Sequence, residues 1–400
     1  MFIKQKYYLI IIFNFLICTY SFANLDTDGY FPKPMPINGN VNFWKLIYTK
    51  ISIHEGIFHD RKNPAIVYKK VYIGDKKGKA LKDYLRKSKN EIGSILKKIS
   101  SIPPALLSTN ELKYLKKFKG YSNYEIKSAV HRIRFQRGQK ERFKEGVEFS
   151  GRYINEIRSI FSQFRIPLKL AYLPHVESSF NCKAYSKAGA AGIWQFTKST
   201  GKRYLCINQY IDERYDPIIS TIAAAKLLRK NFNKLKSWPL AITAYNHGLN
   251  GILRAIKKTK SKDISVIIQK HKSKSFKFAS KNFYSCFLAA CEIAENKNIY
   301  FDNLNTKSSF NRELITIQKN KIFRLCSSLN ISIKTFKKYN PSLKPAYYKN
   351  IDIPKEYDVY IPSSYKSSAI KAMKLISSED EITLWGELEQ HIFGYCLNDH

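Results

Sequence analysis

The most chemically suggestive feature of this 400-residue chain is a carboxylic acid inside an apolar stretch. It is Glu177, in Leu170-Ala171-Tyr172-Leu173-Pro174-His175-Val176-Glu177-Ser178-Ser179-Phe180-Asn181. A carboxyl at the end of an apolar helix loses hydration, which raises its pKa and keeps it protonated near neutral pH. In that state it can donate a proton to a glycosidic oxygen. Taken alone, Glu177 could equally cap a neighbouring helix or pair with one of the many cations.

The residues that follow change that balance. Nine positions on stands Ser186, then Ala188-Gly189-Ala190-Ala191-Gly192-Ile193-Trp194-Gln195-Phe196, and later Ala244-Tyr245-Asn246-His247-Gly248. A Glu-Ser with a following aromatic, a Ser nine residues after the Glu, Gly-x-x-Gln and Ala-Tyr-Asn-x-Gly thus occur in order. This set resembles the lytic transglycosylases of glycoside hydrolase family 23, whose catalytic domain has a goose-type lysozyme fold. The resemblance runs from about Phe164 to Ala294. It implies Glu177 as acid and base, with Ser186 and Gln195 contacting sugar and Ser186 near the N-acetyl group of the reacting muramic acid. It also implies that Tyr245 holds Glu177 or the substrate by its hydroxyl, with Asn246 beside it as a substrate ligand. Gly189 and Gly192 become places where backbone passes close to sugar. One departure stands out. Where many members have Glu-Thr-x-x-Tyr-Val, this chain has Ser280-Lys281-Asn282-Phe283-Tyr284-Ser285. The family's substrate-stabilising tyrosine is then either Tyr284, taken here as the candidate, or replaced by Phe283. Each residue has a plainer alternative: Tyr245 an ordinary buried tyrosine, Gln195 an ordinary surface amide.

Ordinary glycosidases use two carboxylates at a fixed separation. The next acids after Glu177 are Asp212, Glu213 and Asp216, and Asp212-Glu213-Arg214 reads as a loop fastener, by pairing with Arg214 or capping a helix. With one carboxyl, a substrate group must supply the nucleophile. The resemblance implies that the muramic acid O6 does so, which leaves a 1,6-anhydro sugar where the β-1,4 bond between N-acetylmuramic acid and N-acetylglucosamine is cut. Two alternatives stay open: a hydrolytic lysozyme-type muramidase with water as nucleophile, and a non-catalytic basic wall-binding protein. No metal or organic cofactor is implied; there is no CxxC, and the histidines are scattered.

The elements that must position these residues read as mainly α. The expected division is a leader over 1–23, a mostly helical N-terminal region over 24–135, the goose-lysozyme-like all-α catalytic domain over 136–300, a small unit over 310–365 and an acidic tail over 366–400. Residues 24 to about 40 are Pro- and Gly-rich and read as a linker. Helices are expected over Leu81–Ile102, Asn110–Gly120 and Ser122–Phe135, the last capped by Ser122, and between Gln136 and Phe164. In the core, Ser220–Phe232, Trp238–Tyr245 and Phe283–Ala294 read as helices. Leu314-Ile315-Thr316-Ile317 and Tyr357-Asp358-Val359-Tyr360-Ile361 alternate like strands around two short helices. That βααβ unit resembles a degenerate LysM module, a wall-glycan binder, with Lys319-Asn320-Lys321-Ile322 at its first turn.

The charge is +38, from 69 Lys+Arg against 31 Asp+Glu, and it attracts polyanions in general. Because lysine is spread along the whole chain with abundant Ile, Asn, Tyr and Phe, an A+T-rich coding bias explains it equally well. The start is more specific. Lys4 and Lys6, an apolar run from Tyr7 to Cys18 and Ser21-Phe22-Ala23 have the layout of a secretory signal peptide, with an uncleaved anchor as the alternative. A lipoprotein site at Cys18 would have Phe15 in an unfavourable place. Export to the periplasm follows, with wall glycan as partner and the inner face of the outer membrane as a further contact. Nucleic acid is disfavoured, and a monomer is expected. Of the seven cysteines, Cys182, Cys206, Cys286, Cys291, Cys326 and Cys396 follow the leader. They are expected as mostly free, buried thiols, with a Cys182–Cys206 bridge as a remote option.

Overall fold

The structure, a computed structural model, describes residues 28–317, 322–349, 351–353 and 357–369. The leader over 1–23 lies outside these residues, as do Cys18, Cys396, Lys319-Asn320-Lys321 and nearly all of the acidic tail. The described chain divides into two compact units, each made of two separated stretches. The first unit takes residues 28–147 and 231–304; the second takes 148–230 and the described residues from 305 on. The expected catalytic span of 136–300 is therefore shared between them. Among the described residues, no helix is long and apolar enough to cross a membrane.

In the first unit, the Pro-rich stretch read as a linker is a helix start. Pro34 precedes the helix Met35–Thr49, and a proline in its first turn costs no hydrogen bond. That helix packs along Phe278–Glu295, where the Trp44 indole donates to Asn282 Oδ1 at 3.2 Å and Lys45 pairs with Glu292. The first unit also holds a sheet that the sequence reading missed. β1 (Glu55–Asp60) lies between β2 (Val67–Tyr72) and β3 (Ile133–Arg137), all antiparallel. The helix expected over Ser122–Phe135 stops at Ala129, capped by Ser122 and Glu125 as a reciprocal box, and Ile133–Phe135 belongs to β3. Gly56 lets the Phe135 ring lie across β1; a Cβ there would sit 2.2 Å from it. The sheet's inner face and the helix Gly78–Ile99 share one core around Phe58, Val71, Ile92, Leu96 and Ile126.

The stretch expected as helical between Gln136 and Phe164 is two helices: Lys140–Ser150, most of which belongs to the first unit, and Ile154–Gln163 in the second. Gly151 at the break approaches the Lys307 carbonyl, where a Cβ would come within 2.4 Å. Leu168–Tyr172, Leu173–Glu177 and Pro217–Leu235 follow. The βααβ expectation holds: β4 (Arg312–Ile317) pairs antiparallel with β5 (Tyr357–Pro362), from Arg312↔Pro362 to Ile317↔Tyr357. Between them lie Ile322–Ser328 and Ile333–Tyr339, then a further short helix Lys344–Lys349. Buried Asn340 fastens the turn. Its amide donates to Tyr360 O and its carbonyl oxygen accepts from Tyr360 N, both at 2.7 Å. Phe336, Leu343, Val359 and Ile361 form a core that also takes in Cys206 and Ile211, so the βααβ unit is packed onto the loop before Asp212 rather than tethered beside it. Cys182 and Cys206 are thiols, which removes the bridge considered between them; Cys286, Cys291 and Cys326 are buried thiols.

Candidate active site

Glu177 is the last residue of the short helix Leu173–Glu177, whose Leu173, Pro174 and His175 are buried. The chain then leaves through Ser179 and Phe180, both with positive φ (52° and 55°). Two consecutive non-glycine residues in that region cost on the order of 1 kcal/mol each. The burial of Phe180, 1% exposed and edge-on to His175 at 4.6 Å, offsets the strain. Ser178 holds the turn: its hydroxyl lies 2.8 Å from Ile193 O, to which it donates, and its N–H reaches Pro174 O. The carboxylate-bearing turn is thereby fastened to the segment that carries Gln195.

The Glu177 side chain is half-buried. Burial pushes its carboxyl from the ordinary 4.5 up to about 8. The helix end thus produces the protonated acid expected from the apolar run.

Residues 184–196 fold back on themselves. Ser186 N donates to Ala190 O at 2.9 Å, and Ala190 N returns a bond to Ser186 Oγ at 3.0 Å. Because Oγ accepts there, the Ser186 hydroxyl proton remains for a ligand acceptor. Gln195 sits at φ 50° with its side-chain amide N–H donating to Gly192 O at 2.9 Å. Gly192, at φ 75°, meets protein backbone: a Cβ there would stand 1.7 Å from Arg214 O. Trp194 is fully buried, and its indole donates to Thr221 Oγ1 at 2.8 Å.

The loop-fastening role expected of Asp212-Glu213-Arg214 is present in detail. Arg214 pairs with both Asp212 oxygens, through Nε at 2.9 Å and Nη2 at 2.7 Å. Its Nη1 donates to Gly189 O at 2.7 Å and Phe196 O at 3.2 Å, so one guanidinium locks both ends of the Gly-rich segment. Glu213, pushed up to about 7 chiefly by burial, accepts from Cys206 N, and Asp216 accepts from Ile218 N and Ile219 N at the start of Pro217–Leu235. Each of these three acids is engaged in holding backbone.

Glu177, Ser186 and Gln195 therefore share the second unit, while Tyr245, Asn246 and Tyr284 belong to the first. Tyr245 and Asn246 end the helix Trp238–His247, where the Ser280 hydroxyl donates to Asn246 Oδ1 at 2.9 Å. Tyr284 is fully buried and its hydroxyl donates to Pro32 O at 2.8 Å, so that hydroxyl is engaged in the core of its own unit. Ser178 is the positioning residue to which the sequence reading gave no role; its signal was adjacency to Glu177.

Residues 159–268 match the transglycosylase SLT domain family. The chain is 30% identical over 223 residues to the membrane-bound lytic murein transglycosylase D of Escherichia coli (strain K12), which covers 52% of this chain and 48% of that protein. It is 37% identical over 121 residues to a protein named for tributyltin chloride resistance in Alteromonas sp. (strain M-1), covering 29% of this chain and 58% of that one. The chain thus spans about half the length of the Escherichia coli relative. Residues 159–268, with the Glu177 turn and the 184–196 loop inside them, are thus similar to the transglycosylase SLT domain, whose fold is all-α and lysozyme-like.

Proposed function

We propose that this chain is a peptidoglycan lytic transglycosylase with Glu177 as its single acid and base. The observation that carries the reading is the Glu177 carboxyl, held protonated near neutral pH by burial at the end of a short helix. The protonated carboxyl gives its proton to the glycosidic oxygen as the bond from that oxygen to the muramic acid C1 breaks. The muramic acid O6 hydroxyl attacks C1, and its proton passes to the Glu177 carboxylate. The products are a free N-acetylglucosamine hydroxyl and a 1,6-anhydromuramic acid end, and the carboxyl is regenerated in its starting state.

Ser186 and Gln195 present a hydroxyl proton and an amide to the sugar from a loop held by Arg214. Tyr245 and Asn246, on the first unit, are carried forward as further substrate-binding candidates. Tyr284 is kept as a support for its own unit and not as a sugar contact. The leader-like first 23 residues support export to the periplasm, and the relative named as membrane-bound supports work near a membrane face. We take the working form to be a monomer.

Mass spectrometry of purified sacculi after digestion tests the reading. Anhydro-muropeptides are expected; reducing-end products alone would move the assignment to a hydrolytic muramidase. A Glu177→Gln variant that digests at the wild-type rate would remove the assignment of the acid.

A further inference from the structure

Away from Glu177, the second unit carries a cavity of about 410 Å³ at the root of the βααβ unit. That volume is within the range of small-ligand sites, about 300–1,000 Å³. It opens where the chain enters β4, where Ile333–Tyr339 ends and where β5 ends; Arg152, from the break between Lys140–Ser150 and Ile154–Gln163, closes the remaining side. Its chemistry is one-sided. Arg152, Lys307 and Lys338 line it, and no Asp or Glu does. None of the three cations has a carboxylate within ion-pair distance among the described residues. The contrast within the same unit is sharp: Arg214 is paired with Asp212, and Arg312 with Glu156.

What holds two of these cations is an aromatic ring. The Arg152 guanidinium stands 5.1 Å from the Phe310 ring centroid, and the Lys338 ammonium stands 4.9 Å from it. Phe310 in turn lies 4.7 Å from the Tyr339 ring and edge-on to Tyr153 at 6.1 Å. Two like charges are therefore kept close to one ring with no counter-ion among the described residues. A ring face attracts each cation only modestly and leaves their mutual repulsion in place. An anion entering the cavity would relieve that repulsion and accept charge-assisted hydrogen bonds from both. Tyr339, half-exposed beside them, offers a flat apolar face on which a sugar ring can lie.

We propose that this cavity is a second ligand site, for a carboxylate-bearing muramyl peptide. The cations take the peptide carboxylate and the Tyr339 face takes the sugar. The choice of a muramyl peptide over other anionic ligands rests on the wall-cleaving reading above; the anion-plus-ring chemistry does not. Such a site would hold a peptide-bearing strand on the same compact unit that carries Glu177.

The test is calorimetric titration of the full chain with N-acetylmuramyl-L-alanyl-D-isoglutamine, with neutral N-acetylglucosamine tetramer and inorganic phosphate as the other arms. The Lys307→Ala/Lys338→Ala double variant removes two charges from half-buried and exposed positions, and Tyr339→Ala removes the platform. The muramyl peptide is expected to bind at least tenfold more weakly to each variant, while the neutral tetramer binds all three proteins alike. Equal binding of the muramyl peptide to wild type and the double variant overturns the proposal. So does inorganic phosphate that binds as well as the muramyl peptide, because the cavity is then an anion patch without sugar recognition. The muramyl peptide has no glycosidic bond to be cleaved, so this result stands or falls independently of whether sacculi yield anhydro products.

Discussion

Replacing Glu177 by glutamine should stabilise the protein as it abolishes activity, and the gain should grow with pH. In the folded chain the carboxyl titrates at about 8, against 4.5 when unfolded. Below pH 4.5 both states carry the proton and the shift has no effect on stability. As pH rises through that value the unfolded state releases its proton while the folded state retains it, so folding loses about 1.36 kcal/mol per pH unit. The loss levels off above about pH 8, where the folded carboxyl ionises too. Integrated, the wild type carries a penalty of about 1 kcal/mol at pH 5 and about 4 kcal/mol at pH 7.5. Water that still reaches the half-buried side chain trims the upper figure, so a growth of at least about 2 kcal/mol is the expected signal. Glutamine has no proton to lose and is free of the penalty. Glu213, also raised by burial, is common to both proteins and cancels in the difference. Urea unfolding of wild type and Glu177→Gln at pH 5 and 7.5 measures this directly. A stability difference that stays constant between the two pH values refutes the raised carboxyl, whatever the variant does to activity.

Gly192→Ala places a Cβ 1.7 Å from Arg214 O at a positive φ, and should lower stability by more than about 3 kcal/mol; a melting temperature within a degree of wild type would contradict the geometry. Arg214→Ala leaves Asp212 buried and unpaired and frees the Gly189 and Phe196 carbonyls, for an expected loss of about 3–5 kcal/mol by denaturant titration. Tyr284→Phe removes one buried hydroxyl bonded to Pro32 O, and should cost about 1 kcal/mol of stability with sacculus digestion unchanged. A hundredfold drop in digestion without a loss of stability would return Tyr284 to the substrate.

The parts of the site that a reader of the sequence could find are those built from neighbours in the chain. The Glu177 helix end, the Ser186–Gln195 loop and the Asp212–Arg214 fastener all act over short separations, and their chemistry follows from residue type. Of the β4–β5 pair, β5 was legible because buried and half-buried residues alternate along it, whereas β4 is mostly half-buried and was read from its short β-rich run. The sheet β1–β3 was not. β1 reads Glu-Gly-Ile-Phe-His-Asp, with five of its six residues buried, so no alternation marks it. Its partner β3 is 73 residues away, counted from Asp60 to Ile133, and looks like the end of the capped helix before it. The helix Met35–Thr49 was hidden by its own prolines, which punctuate a loop and open a helix with equal ease. Tyr284 shows a different limit. Its motif position suggests a substrate contact, yet only the fold shows its hydroxyl bonded to Pro32, 252 residues earlier.

Both units are built from stretches that other parts of the chain interrupt, and that has a consequence for the order in which the molecule can assemble. A nascent chain that has emerged only as far as residue 230 has neither unit whole. The helix Met35–Thr49 waits for Phe278–Glu295, and Cys206 and Ile211 wait for Phe336 and Val359. Local helices can form early, but the closing contacts lie more than about a hundred residues apart and come late. A gene shortened after residue 304 would therefore produce an SLT segment with an open apolar flank around Ile211, and not a smaller enzyme.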